Sequence, residues 1–572
     1  MTPEPAKESP KGPDGKRLCK YYQALLTVRR PWEALWQEIA QYVIPRKYPG
    51  MNGTVLIPTT DVESRLFDST AVQAHQVNAA GCLAWMTPAD SAWFNFRPPG
   101  AMKDDAAKRW LADASETARE TLGRTNFYLA AHEAYLDRSS FGTCAIYCET
   151  DEQDGAFFQA WSCGTFVIGE DHRGRVNTVI REFTLTAEQA VEKFGEEAVS
   201  KEIRDAIKAG GDSLLKRFDF LHFVMPRSKE DQARPGKLQI RMPIAAYYVE
   251  KKTEQIVRES GYQNMPVMVS RYLEWGTGTG GCYGWSPAFA ALPEARQVNF
   301  LQKYMDALAE KMAFPPWLAP DDMEGEIDPN AAGVTYIPRG LQAHEVPREL
   351  PPQGRYDVGK DRVVERQNAI NKAFHVDMFQ MFASMERQAQ MTAREVAERT
   401  AEKLVTFSPT FARMTSEILG PLCRWLFIEL LGQGAFGDLM AIPPALLGPD
   451  GKSIKEPSVK YSSRIALAME QLPTIGVWRT LDLATQIAAG SGNPAVFDNI
   501  DWDKALRDAA VSNGASASVI IPMNVVRELR DARAVAAQQA EQMAMAEQAA
   551  GAASKLGSVP PESPVAQALT AA

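Results

Sequence analysis

Glycine-rich, thiol, imidazole and carboxylate groupings are the parts of this 572-residue chain that could carry chemistry, and spacing decides what each can do. Gly276, Gly278, Gly280 and Gly281 suggest a loop that cradles phosphate. A nucleotide loop of the ATPase kind ends in Lys and then Ser or Thr, which reach the terminal phosphates and Mg²⁺; here Cys282-Tyr283 follow. The run therefore reads as a flexible connection between sheet and helix. Cys144 and Cys148 are four apart in a strand-like run, which puts them on one face. Tetrahedral zinc needs four nearby ligands, and no second Cys/His pair accompanies them, so buried free thiols are expected. His75, His132, His172, His222, His344 and His375 never form a His-Glu-x-x-His arrangement. Asp498, Asp501 and Asp503 could share a divalent metal as nuclease carboxylates do, but nothing nearby completes the set. Asp501 reads instead as the cap of a helix that opens with Trp502. No catalytic residue, metal site or cofactor is expected.

Charge patterning says more. Lys360–Lys403 carries eight Lys or Arg against seven Asp or Glu, among them Lys360, Arg362, Glu365, Arg366, Lys372, Asp377, Arg394, Glu395, Glu398 and Arg399. Mixed charge on helices marks a solvated face or pairs between helices; opposite signs meeting between copies of a subunit would set register and reject wrong partners. Both readings stay open. Between these helices, Phe382–Met391 combines adaptable apolar residues, Phe382, Met385 and Met391, with Glu386 and Arg387 of opposite sign and the amides Gln388 and Gln390. Such a turn touches a moving partner without gripping it, although Met and Phe there also suit helix packing.

The elements that must position these residues follow from hydrophobic period and breakers. A disordered start over residues 1–20 precedes a helix to Val43, where Trp32, Leu35, Trp36, Ile39 and Val43 share one face and Pro45 ends it. Helices are expected at Ser69–Trp85, Lys103–Thr121 and Tyr128–Arg138. Short β-rich runs follow at Cys144–Cys148, Ala156–Ala160, Phe166–Ile168 and Val176–Phe183, with Asp171-His172-Arg173-Gly174 as a hairpin turn. Thr186–Phe194 and Glu197–Ala209 read as helices, and Phe218–Pro226, Ala245–Glu250 and Pro266–Trp275 as strands of the same α+β unit. Ala288–Met312 is a long helix set between Ser286-Pro287 and Pro315-Pro316. A compact insert, Trp317–Gly354, has a strand candidate at Val334–Ile337. Val358–Met385 reads as one helix and Thr392–Leu431 as another, broken near Phe407-Ser408-Pro409. Strand and loop material spans Leu447–Ser463, and helices are expected at Trp478–Ala489, Trp502–Ser512 and from Val525 to about Ala550. Gly551–Ala572 reads as a disordered end.

Composition bounds the rest. The chain is 45% hydrophobic and 23% charged, which argues for a folded protein, and its net charge of -9 argues against broad electrostatic wrapping of nucleic acid. Seven scattered cysteines fit a reducing compartment rather than a disulfide scaffold. No stretch supplies the run of 18 or more apolar residues that spans a bilayer, and no signal-peptide core is present at the start.

Four stretches resemble the head-to-tail connector, or portal, family of short-tailed, T7-like DNA bacteriophages. They are Arg65–Ala71 with Leu83–Pro88 and Trp93-Phe94; Phe141-Gly142-Thr143 with Asp171–Gly174 and Arg181-Glu182; Tyr283–Ala288 with Leu292-Pro293 and Asn299; and Gln390–Val396 with Glu398-Arg399 and Leu419–Leu422. The resemblance implies an α+β portal fold and a ring of about twelve subunits around a channel for double-stranded DNA. Residues 21–286 would be the wing, 287–314 and 357–381 the long-helix stem, and 315–356 a small α/β clip. Residues 382–391 would form a tunnel loop, 392–477 a returning wing helix and strands, and 478–550 a mainly helical crown. It also implies placement at a unique capsid vertex of the virion, with assembly in the host cytoplasm. The implied partners are a terminase motor, a tail adaptor, and scaffold, major capsid and internal core proteins. The chain would serve genome packaging, head-to-tail connection and ejection without being an enzyme. A DNA-processing enzyme, such as a nuclease or terminase subunit, and a tail adaptor are the alternatives.

Overall fold

Helix α1 (Gly15–Val43) begins inside the stretch expected to be disordered, because Asp14 caps it, its carboxylate accepting from the Lys16 amide at 3.1 Å. Leu18, Cys19 and Tyr22 then bury its first turns against Val167, Ile180, Leu221 and Phe223 of a β-sheet. The computed structural model describes residues 14–50, 66–100, 104–151, 153–232, 238–274, 282–318, 340, 342, 348–349, 354–385, 407–437, 442–448, 454–463, 465–466, 480, 483–490, 494–512, 521 and 523–557. They belong to two units, Met1–Met469 and Glu470–Ala572.

In the first unit, α2 (Thr70–Met86), β1 (Phe94–Arg97), α3 (Asp105–Arg124) and α4 (Phe127–Phe141) precede the sheets. β2 (Thr143–Asp151), β3 (Gly155–Trp161) and a later strand, β9 (Val267–Arg271), make a three-stranded antiparallel sheet in the order β3-β2-β9. β4 (Phe166–Glu170), β5 (Val176–Thr186), β6 (Arg217–Pro226), β7 (Ile244–Glu250) and β8 (Gln255–Tyr262) form a five-stranded antiparallel meander in sequence order. The expected hairpin turn joins β4 to β5: the Asp171 carboxylate accepts from the amides of Arg173 and Arg175, and Gly174 has φ +74°. Between β5 and β6 lie α5 (Ala187–Phe194), closed by a reciprocal Thr186–Gln189 capping box, and α6 (Lys201–Ala209). β8 has no counterpart among the expected strands. It is the meander's edge, and its mixed exposure blurs the alternation that marks a half-buried strand.

A helical hairpin follows. α7 (Pro287–Ala313) runs through Pro293, which lies on its solvent side in the second turn. Short strands β10 (Trp317–Leu318) and β11 (Arg348–Glu349) pair antiparallel at its far end; the candidate Val334–Ile337 lies outside the described residues. The return is not the single helix expected over Val358–Met385. It is α8 (Tyr356–Ala373), then a break, then α9 (Val376–Met385). The break has a tertiary cause. Asn78 of α2 donates its side-chain amide to the Phe374 carbonyl at 2.7 Å, taking that oxygen out of the helical ladder, and the Met378 amide turns to the His375 carbonyl. His375 takes a left-handed backbone, φ +56°, which costs a non-glycine residue about 1 kcal/mol.

Helix 407–414 contains Phe407-Ser408-Pro409, where the sequence predicts a break. It widens into a π-turn at Thr415–Leu419 before α10 (Gly420–Gly432). The Gly420 amide reaches back five residues to the Thr415 carbonyl, the wider spacing of a π-turn, just before Pro421, which has no N–H to continue the α-helical ladder. β12 (Ser458–Tyr461) pairs antiparallel with β1 across more than 350 residues of sequence.

Two of the four apolar cores among the described residues of this unit bear on the hairpin and its surroundings. One packs Leu111, Phe127, Ile146, Phe158, Leu422 and Leu426; the other joins Trp36 and Ile39 of α1 to Phe289 and Leu292 of α7 and to Val363, Ile370 and Phe374. The helical hairpin is thus rooted in the second core.

In the second unit, 483–490 is helical and α11 (Trp502–Ser512) starts as expected, with Asp501 accepting from the Lys504 amide at 3.0 Å. α12 (Met523–Gly557) runs past Gly551 into the stretch expected to be disordered, as its alanine-rich composition favours.

Candidate functional site

The root of the hairpin is a close approach of two backbones. Gly142, the left-handed C-cap of α4 at φ +78°, lies so near Gly284 that an added Cβ would meet the Gly284 carbonyl oxygen at 2.1 Å; a Cβ on Gly284 would meet the Gly142 oxygen at 2.2 Å. The Gly284 amide donates to Thr143 Oγ1 at 2.9 Å, Ser286 Oγ to the Ser140 carbonyl at 2.6 Å and Trp36 Nε1 to the Phe141 carbonyl at 3.1 Å. Trp36 and Tyr283 meet edge to face, centroids 5.1 Å apart. Two of the four family-like stretches, Phe141–Thr143 and Tyr283–Ala288, are therefore one structural joint. Asn299 of the third stretch reaches the first through the Phe67 amide at 2.7 Å.

Beside this joint is a buried charge cluster that sequence reading missed. Arg271 binds Glu170, Glu274 and Glu417 and donates to the Gly174 carbonyl; Arg413 binds Glu274 and Glu417. Burial opposes the charge on Arg271, but the three carboxylates outweigh it and hold its pKa above the usual value. Glu170 lies on β4, Arg271 on the last residue of β9, Glu274 just beyond it, Arg413 on helix 407–414 and Glu417 in the π-turn. Their separation in sequence leaves no motif to find.

Along the hairpin, Met305 of α7 packs where a side chain on Gly359 would stand, and Leu308 where one on Gly354 would. Val363 and Ile370 face inward and Arg366 pairs with Glu294. The expected charged set divides accordingly. Arg366 is engaged within the subunit. Arg362 and Glu365 pair with each other at 2.9 Å on the exposed face of α8, and Lys360, Lys372 and Asp377 are exposed. Arg394, Glu395, Glu398 and Arg399 lie outside the described residues. Of the expected tunnel loop, Phe382 and Met385 belong to helix α9, a correction to a loop beginning at 382; Glu386, Arg387, Gln388, Gln390 and Met391 lie outside the described residues. So do glycines Gly276–Gly281.

The outer sides of the hairpin differ from each other. α7 exposes Phe300, Lys303, Tyr304, Asp306, Glu310 and Lys311, and α8 exposes Asp357, Val358, Lys360, Asp361, Arg362 and Glu365, so both helices carry mixed charge with different apolar groups. An open groove of about 650 Å³ on the α7 side is lined by Tyr42, Phe67, Arg296, Gln297, Asn299, Phe300 and Lys303.

The residue types that could do chemistry are placed otherwise. All seven cysteines are buried free thiols, and burial raises Cys144 to about 12 and Cys148 well above the usual range, the reverse of an activated nucleophile. Burial lowers His75 to about 4 and His222 well below the ordinary histidine value. Asp503 is bound by Arg530 through both oxygens at 2.6 and 2.7 Å. Among the described residues no three His, Cys, Asp or Glu side chains gather to hold a metal, and no helix is long and apolar enough to cross a membrane.

Comparison with known proteins supplies the context. A family model described as bacteriophage head to tail connecting protein matches residues 15–521. The probable portal protein of Bordetella phage BPP-1 is 29% identical over 563 residues, covering 95% of each chain. The portal protein of Salmonella phage epsilon15 is 26% identical over 571 residues, covering 97% of each. Among solved structures, a chain of the virion of a native gene transfer agent particle aligns over 79% of this chain and 94% of that one. Its identity is 12% and its TM-score 0.33, too slight a likeness to carry an argument.

Proposed function

This chain belongs to the bacteriophage head to tail connecting protein family, a structural and non-catalytic family, and we propose that its copies close into a ring of about twelve around a channel through which double-stranded DNA enters and leaves the capsid. The observation that carries the reading is the family match over residues 15–521, with relatives named as portal proteins aligned almost end to end. A rigidly rooted helical hairpin supports it, since a hairpin with two dissimilar outer sides suits the head-to-tail contacts of a closed ring. The net charge of -9 supports it too: a conduit must let phosphates slide, and excess Lys and Arg would arrest them.

In this reading residues 21–286 form the wing and α7 with α8 the stem. Residues 315–356 are the clip that meets a tail adaptor and a packaging motor, 382–391 approach the DNA, and 478–550 make a crown toward the capsid interior. The kink at His375 is where the stem turns toward the channel. ATP-driven force comes from a separate terminase. The ring sits at one capsid vertex of the virion and assembles with scaffold, major capsid and core proteins in the host cytoplasm. The test is genetic and biochemical: particles assembled without this chain should contain no packaged genome, measured as nuclease-protected DNA per particle. Normally filled particles would reject the reading.

A further inference from the structure

We propose that the exposed face of α1 is a contact for the backbone of double-stranded DNA, separate from residues 382–391. This rests on the reading above that duplex DNA passes the protein, and adds a surface, its charges and its strength.

The first argument is the way α1 sorts its charges. Arg29 is buried, pairs with Glu33 and donates to the Phe166 carbonyl at 2.9 Å, and Glu38 is taken by Arg296. Both acids of the helix are thus engaged. Lys16, Arg17, Lys20 and Arg30 are exposed and form no ion pair among the described residues, and no acidic residue of α1 is exposed. Asp14, just ahead of the helix, holds the Lys16 amide. The β7–β8 turn, against which Gly15 packs, holds Lys251, Lys252 and Glu254 and adds no negative excess. Other surface helices are mixed: α3 exposes Lys108 and Arg109 with Asp113, Glu116 and Glu120, and α6 exposes Lys201 and Lys208 with Asp205.

The second argument is cost. Lys16, Arg17 and Lys20 stand in the first turns of α1, where the helix dipole is positive and no acidic residue offsets it. Cations there oppose helix stability, and a local rule broken in this way marks a functional surface.

The third is magnitude. Lys16, Lys20, Gln23, Thr27 and Arg30 follow one another at helical spacing, a row of about 21 Å. Duplex DNA presents roughly twelve phosphates over that length, and the four cations neutralise about a third of them. Such a contact is weak and indifferent to sequence, with a slope of log affinity against log salt of about -3.6. It guides DNA without arresting it. A protein partner would need an apolar centre to its contact, and only Tyr21 and Val28, 38% and 37% exposed, interrupt the polar face with large apolar groups.

Fluorescence anisotropy of a duplex of about 30 base pairs, titrated with the full chain between about 50 and 200 mM salt, tests the proposal. Affinity for the unaltered chain should fall about a hundredfold over that range. Lys16→Glu with Lys20→Glu should make the slope shallower by about two, while leaving the circular dichroism spectrum intact and raising the melting temperature, since Glu suits that end of a helix. Lys201→Glu with Lys208→Glu, the same change of net charge placed on α6, should leave the slope as it was. Equal slopes for all three proteins, or a duplex that binds none of them, overturn the proposal. Binding of poly-L-glutamate in place of the duplex would also overturn it and assign the face to an acidic protein. The mass of the same samples separates the two readings: absence of a ring defeats the ring reading, whereas rings with unchanged slopes keep the ring and remove this contact.

Discussion

Replacing Gly142→Ala should loosen the joint at the root of the hairpin, and the size of the effect follows from two terms. A side chain at φ +78° pays for a left-handed backbone, about 1–2 kcal/mol. The new Cβ also stands 2.1 Å from the Gly284 carbonyl oxygen and 3.1 Å from the Ser286 amide nitrogen. These are backbone atoms held by the Gly284–Thr143 and Ser286–Ser140 hydrogen bonds, so they cannot step aside cheaply, and overpacking of this kind costs about 1–3 kcal/mol. Together the terms give about 2–5 kcal/mol of local destabilisation. Amide hydrogen exchange reads it directly, because the Tyr272 amide donates to the Gly142 carbonyl at 2.8 Å and the Gly284 amide to Thr143. At about 1.4 kcal/mol per factor of ten, both should exchange roughly thirtyfold faster or more. Gly123→Ala in α3 is the control: its Cβ meets nothing within 4 Å, and the helix should gain roughly 0.5–1 kcal/mol. Unchanged exchange at Tyr272 and Gly284 in the Gly142 variant would refute the claim that backbone contact holds this joint.

Three further outcomes are expected. His75, whose Nε2 lies 2.8 Å from the Leu136 carbonyl, is held near pKa 4 by burial, below its ordinary 6.5; its neutral form stabilises the fold above pH 6.5, and that contribution, about 3 kcal/mol, is lost as pH falls from 6.5 to 4. Urea denaturation at several pH values should show a shallower loss over that window for His75→Gln than for the unaltered chain, and equal slopes would contradict it. Arg271→Ala leaves Glu170 without a guanidinium and Glu274 and Glu417 with that of Arg413 alone, and should cost about 3 kcal/mol in urea denaturation, a loss under 1 kcal/mol counting against the cluster. At the kink, His375→Gly should be more stable than His375→Ala by about 1 kcal/mol, since both lose the ring against Phe407 and only glycine accepts φ +56° without strain; equal stabilities would remove the strain.

What the sequence disclosed was local. The helix beginning at Thr186, the turn at Asp171 and the cap at Asp501 depend on neighbours within a few residues, so composition and spacing suffice to find them. The hairpin helices were legible from their period and from the prolines that bound α7. The kink at His375 was not, because its cause, Asn78, lies almost 300 residues earlier. The same holds for the pairing of β1 with β12, the Gly142–Gly284 contact and the Arg271 cluster, all of which join distant segments. The helical starts and ends at Gly15 and Gly557 were misjudged for a different reason. Proline- and lysine-rich or alanine-rich flanks hide the cap or propensity that extends the helix. The candidate site was legible as charge without direction: the stretch from Lys360 announced mixed signs, but only the packing of α8 on α7 separates Arg366, engaged inward, from Asp361 and Glu365, which point out.

The mass of the purified full-length assembly at particle-like salt tests the central claim most directly. The account predicts a single closed species near twelve times the 63.1 kDa of one chain, stable on dilution; a chain that remains a monomer or a simple dimer under those conditions would contradict it.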